Sequence, residues 1–241
     1  MGATVFWDSA APCVLLSTIS TVWITGCFHE DGLADSFDAF GGGWGKSQIL
    51  RILQDSRVGT YAVVGMILAL MLKVKCLEML CGGDDGMLRY ARALISVHCA
   101  SRWTSLPLIY SCTYVQSEED AKRGLYNWFS DSKLLLTIPR LLFGTICAII
   151  VPLLVMNEKQ EAYLIFIAVI LTTIASAYYG NAIIGGVIGD YLGATIQVAE
   201  IICYMALTAN VDLDKLPRLA TAIGAAALPI LYSRKIVSFD C

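Results

Sequence analysis

The chain has 241 residues, 57% of them hydrophobic and 15% charged, with a mean hydropathy of +0.66. A soluble domain carries about 25% charged residues, so this composition excludes an ordinary soluble fold and points to an integral membrane protein. The net charge of −3 and the lack of basic clusters exclude a nucleic-acid surface, leaving the lipid bilayer as the first partner.

The start of the chain lacks a basic n-region and a small-residue cleavage site, so no cleavable signal peptide is expected. The first apolar run spans 11–28 and leads into "FHEDGLADSFDAFGG", residues 28–42. On a helix, Asp31, Asp35 and Asp38 stand at i, i+4 and i+7 and share a face. Carboxylates this close repel one another. A solvated acidic loop is the plain reading. The spacing, Gly32 and the membrane edge favour a divalent cation instead, and hard oxygen donors suit Mg²⁺ or Mn²⁺ rather than Zn²⁺. Glu30 points off this face and is the weaker candidate ligand. His29 is a candidate for phosphate binding, proton transfer or simple capping of the run.

"QDSRVGTYA", residues 54–62, follows. Arg57 offers a planar fork to phosphate. Gly59 and Thr60 stand where a helix start presents donors to an anion. Asp55 either holds Arg57 or joins the metal ligands. A plain helix start explains the same residues, but beside the acid cluster they read as the anion-binding half of one site.

The second apolar run, 61–81, contains Lys73, Lys75 and Glu78, which are placed to snorkel. The third, 92–112, contains His98 and Arg102 at i, i+4, a structural ion pair or the lining of a cavity. The fourth, 134–156, is marked at its ends by Pro139 and Pro152; the fifth is 162–180. "GDYLGATIQVAE", residues 189–200, then places Asp190, Gln197 and Glu200 on one side of a continuous helix. Glycines 185, 186, 189 and 193 permit close helix approach. Runs 193–209 and 216–232 complete the series. Each is near the length of about 20 residues that a bilayer requires. The fold expected is an all-α, polytopic membrane helix bundle of about seven transmembrane helices, in a single domain over 1–241. The loops on the side of the acidic motif carry nine Lys or Arg against five opposite, which puts that motif on the cytoplasmic side. Nine cysteines without a CxxC pair read as packing residues.

This inventory fits phosphoryl transfer: a carboxylate-bound metal, basic phosphate clamps and no evident covalent nucleophile. Two histidines and no nucleophile elbow fit a Ser-His-Asp hydrolase poorly, and no GxxxxGK[ST] appears.

Together, "FHEDGLADSFDAFGG", "QDSRVGTYA", "SRW" at 101–103 and "GDYLGATIQVAE" resemble the cobalamin synthase family, also called adenosylcobinamide-GDP ribazoletransferases. The resemblance runs in order over roughly residues 10–235, and its first motif is the most specific. It implies a multi-pass enzyme of a bacterial-type inner membrane, requiring Mg²⁺ and acting at the end of cobalamin biosynthesis. The substrates implied are adenosylcobinamide-GDP and α-ribazole or its 5′-phosphate; the products are adenosylcobalamin or its 5′-phosphate, and GMP. Asp31, Asp35 and Asp38, with Glu30 and Asp55 as further ligands, would hold the metal. Arg57, Gly59, Thr60, Arg102, Asp190 and Gln197 would bind substrate, and Asp35, Asp38 or His29 would handle the proton. Homo-oligomerisation and association with other corrinoid-pathway enzymes stay open. Two departures stand out: Ala39 replaces the glycine that usually follows the third acid, and Met1 lies closer to the motif than in other members, which carry a further N-terminal segment. The competing readings are a CDP-alcohol phosphotransferase of phospholipid synthesis and a cation transporter. The first lacks support because Asp35 stands where that motif has Arg, and the second because no repeat is evident.

Overall fold

A computed structural model describes residues 9–115 and 135–209. All but Ala209 belong to one compact unit, Met1–Thr208, and Ala209–Cys241 forms a second. The run 216–232 lies outside the described residues, as do Lys122, Arg123 and Lys133.

The described residues are helical throughout apart from turns and one isolated parallel bridge, Tyr114 to Val187. α1 (Ala11–Ile24) carries Pro12 in its first turn, where a missing N–H breaks no helical bond. It ends earlier than the run 11–28 suggests. Gly26 (φ 65°) and Cys27 (φ 58°) are both left-handed, and they turn the chain by 89° into α2 (Phe28–Gly42). The acid stretch therefore fills its own helix. α3 (Lys46–Leu53) is a short amphipathic helix that buries Ile49 and Leu53. α4 (Thr60–Leu80) and α5 (Gly86–Arg102) follow, then α6 (Ser105–Ser111). α7 (Ile138–Val155) has Pro139 in its first turn and Pro152 in its last. α8 (Lys159–Ile183) and α9 (Gly189–Thr208) complete the described helices.

Among the described residues, α7, α8 and α9 are long and apolar enough to cross a membrane, and α1 with α2 makes a fourth if the bent pair counts as one span. α4 coincides with the expected run 61–81, but the expected run 92–112 is broken: α5 begins earlier and ends at Arg102, and α6 takes up its second half. α4 carries Lys73, Lys75 and Glu78, and α5 carries Arg89, Arg92 and Arg102; neither is among those three. α7 and α8 expose Phe143, Leu154, Ile167, Leu171 and Ile174, an outer face suited to lipid. α9 is the central helix: its apolar window is 67% buried, against 11% in α7.

Two apolar clusters meet along α9. One gathers Val14, Leu77, Leu80, Val97, Ile165 and Tyr204; the other gathers Ile49, Leu108, Ile184, Val187, Tyr191 and Leu192. Between them along α9 lie Gly193, Gln197 and Glu200. No disulfide joins any two of the eight described cysteines, and Cys76, Cys112 and Cys203 are buried.

Candidate active site

α2 and α9 cross closely because both present a glycine. A Cβ at Gly32 would lie 2.5 Å from the Asp190 carbonyl oxygen, and one at Gly193 would lie 3.4 Å from His29 Cα. These pairs, with Glu30 against Gln197, show the helices running antiparallel. The crossing brings Asp190, at the start of α9, into the electrostatic neighbourhood of Asp35.

α2 is not itself one of the three helices long and apolar enough to cross a membrane. On it Asp31 is exposed, while Asp35 and Asp38 are partly buried. Asp35 is pushed up to about 6, first by burial and then by the charges of Asp190, Asp31 and Asp38. Burial holds the imidazole of His29 below its ordinary value, with Arg102 adding to the effect. Its Nδ1 is buried without a hydrogen-bond partner among the described residues, and its ring meets Phe28 edge-on at 5.7 Å.

Asp38 has a different task. Its Oδ2 accepts from the Gly59 N–H at 2.6 Å and its Oδ1 from the Ala62 N–H at 2.9 Å. The carboxylate thus caps α4 from another helix, satisfying donors that the first turn leaves open. Gly59's N–H, expected to serve an anion, is committed to Asp38. Thr60 opens α4 and is exposed. Asp55 and Arg57 resolve one alternative: the guanidinium Nη2 donates to Asp55 at 2.5 Å, with Nε at 2.9 and 3.0 Å. This pair holds the Asp55 carboxyl down at about 2. Arg57's side chain is 87% exposed, so it remains accessible to an anion.

Glu30 turns inward. It is 7% exposed, its Oε1 accepts from Gln197 Nε2 at 2.8 Å, and its Oε2 has no partner among the described residues. Gln197 Oε1 in turn accepts from Lys73 Nζ at 3.2 Å. Lys73 donates to Glu200 Oε2 at 2.6 Å. Glu200 is fully buried, and its Oε1 meets Arg102 Nη1 and His98 Nδ1, both at 2.9 Å, and Ser101 Oγ at 3.4 Å. Lys73 and Ser101 had no place in the sequence reading of the site. Lys73's charge inside an apolar run was the available sign, but its partner lies 127 residues away.

The structure therefore separates the predicted residues into three groups. Asp31, Asp35 and Asp190 sit at the acid edge, with Asp38 bracing α4 beside them. Asp55 and Arg57 form an exposed pair. Glu30, Gln197 and Arg102 join a buried polar chain. Among the described residues, no three His, Cys, Asp or Glu side chains are arranged to hold a metal by themselves.

The family model for cobalamin-5-phosphate synthase matches residues 1–208. The adenosylcobinamide-GDP ribazoletransferase of Shewanella baltica (strain OS185) is 37% identical over 212 residues, 86% of this chain and 77% of that protein. Proteins of the same name from Shewanella oneidensis and Shewanella piezotolerans are 36% and 34% identical over 204 residues, 83% of this chain and 73% and 74% of those proteins. No solved structure matches the chain significantly. With the match covering the acid helix, the Arg57 loop and the polar chain alike, the chain belongs to the cobalamin-5-phosphate synthase family.

Proposed function

We propose that this chain is a magnesium-dependent adenosylcobinamide-GDP ribazoletransferase. One observation carries the substrate: relatives of that name align over 86% of the chain. The local chemistry supports it. A hydroxyl of α-ribazole, or of its 5′-phosphate, attacks the phosphorus that bears the cobinamide alcohol. The new P–O bond forms as the pyrophosphate bridge breaks, and GMP leaves with the bridging oxygen.

The donor set fits magnesium. Its oxygens are hard, and Mg²⁺ is commonly held by one or two carboxylates together with substrate phosphates and waters, so a complete protein cage is not required. Asp31, Asp35 and Asp190 would hold it. Bound there, the ion would neutralise the pyrophosphate and the charge developing on the leaving phosphate. Asp35 or His29, both on α2, would take the hydroxyl proton. Asp38 keeps the start of α4 in place. Arg57, on its exposed loop, clamps the guanylyl phosphates. We further infer a multi-pass enzyme of about seven spans in the inner membrane, given the length of the apolar runs. The bias of basic loops puts the acid helix at its cytoplasmic face.

The test is direct. Purified protein in detergent, with both substrates, should release GMP and a complete corrinoid only when Mg²⁺ is present. Chelation should stop the reaction and added Mg²⁺ restore it. Preference for CDP-diacylglycerol over adenosylcobinamide-GDP would overturn the reading.

A further inference from the structure

The polar chain inside the bundle is not explained by stability. Burying ions is costly, and well-packed apolar residues often replace buried ion pairs without loss. Its directionality is more informative. The Lys73 ammonium can only donate, so it draws the Gln197 carbonyl oxygen toward itself at 3.2 Å. The Gln197 amide nitrogen is thereby left to face Glu30, and it donates there at 2.8 Å. Along the chain, signs alternate: Arg102 positive, Glu200 negative, Lys73 positive, the Gln197 dipole, then Glu30 negative. Reversing any link would set donor against donor or acceptor against acceptor.

One end of the chain adjoins the acid helix, and the other lies in the electrostatic neighbourhood of His29 on that helix. Glu30 precedes Asp31 directly on α2, so fixing Glu30 against α9 fixes the rotation and register of the helix that carries Asp31 and Asp35. At the other end Arg102 has a side chain 36% exposed, and its guanidinium is aimed by the fully buried Glu200.

We propose that Lys73, Gln197 and Glu200 are positioning residues for the transfer: a strut of alternating charge that sets the register of the acid helix on α9 and the direction of Arg102. This rests on the transferase reading above. The strut touches no reacting atom; it acts through Glu30 and Arg102.

The experiment is a charge swap in the full chain, purified in detergent. Gln197→Glu places a second carboxylate against Glu30. It should lower kcat about tenfold or more, the coupling expected of residues in one network, and raise the Mg²⁺ needed for half-maximal rate. Adding Glu30→Gln rebuilds a carboxylate–amide pair in the opposite order, with Lys73 still facing a carboxylate, and should recover most of both. Lys73→Met should lower kcat similarly. Folding of each variant is followed by thermal melting in detergent. The proposal is overturned by folded Gln197→Glu and Lys73→Met proteins with wild-type kcat and Mg²⁺ dependence. It is also overturned by a folded double variant that stays as slow as Gln197→Glu, which would make Glu30 a ligand in its own right. Wild-type protein that releases no GMP sinks the transferase reading alone. Mn²⁺ binding, read by electron paramagnetic resonance, then tests the strut: weakening in Gln197→Glu and recovery in the swap support it, and equal binding in all three proteins overturns it.

Discussion

The same two helices, α2 and α9, carry two polar regions that solve the problem of buried charge in opposite ways. In the interior, Glu200 is wholly enclosed, yet Lys73, Arg102, His98 and Ser101 all reach it. At the edge, no ion pair engages Asp31 or Asp35 among the described residues, and the neighbours of Asp35 are further acids. The protein supplies its own cations where water and ligands do not reach. It withholds them where a ligand can bring one. A carboxylate crowd left unbalanced beside an accessible surface is the condition that recruits a divalent ion.

Paired substitutions should separate the regions most sharply. Glu200→Ala strips the partner from a buried lysine and should lower stability by about 3–5 kcal/mol, read as a large fall in melting temperature in detergent. Asp35→Asn should do the reverse. Turnover should fall by about a hundredfold or more, because charge stabilisation worth several kcal/mol is removed, while melting temperature holds or rises as repulsion is relieved. Equal stability losses in the two variants would erase the distinction.

A smaller effect lies in pH. The carboxyl of Asp35 titrates at about 6, above its ordinary 3.8. An acid raised in the folded state favours folding while protonated. Its contribution is therefore present below pH about 4 and lost as pH rises through about 6. Melting of magnesium-free protein should show that decline, Mg²⁺ should offset it above pH 6, and Asp35→Asn should lack it.

The least effect on stability belongs to Arg57→Ala, since exposed ion pairs contribute about 0–1 kcal/mol. Its consequence should be kinetic: a raised KM for the guanylylated substrate at nearly constant melting temperature.

Local spacing made much of this legible. The shared face of Asp31, Asp35 and Asp38 follows from the helical repeat, and the Asp55–Arg57 pair spans only two residues. Asp190, Gln197 and Glu200 fall on one continuous helix for the same reason. Tertiary partners were not legible. Lys73 reads as a snorkelling residue because nothing near it in sequence announces Glu200. Asp38 reads as one of three equal acids because its cap to α4 depends on how α2 packs. The break after Ile24 was obscured for another reason: the run 11–28 is apolar throughout, and the turn needs a left-handed Cys27, a conformation its side chain does not favour.

The right-angled joint at Gly26 and Cys27 uncouples the acid helix from the length of the helix before it. α2 keeps the intervals among its acids by its own helical repeat, and its place by the contact of Gly32 with Asp190 and the Asp38 cap on α4. The 14 residues of α1, about 21 Å of helix, set neither. A change in the length of α1 can be absorbed at the joint, leaving the carboxylates where α9 and α4 hold them.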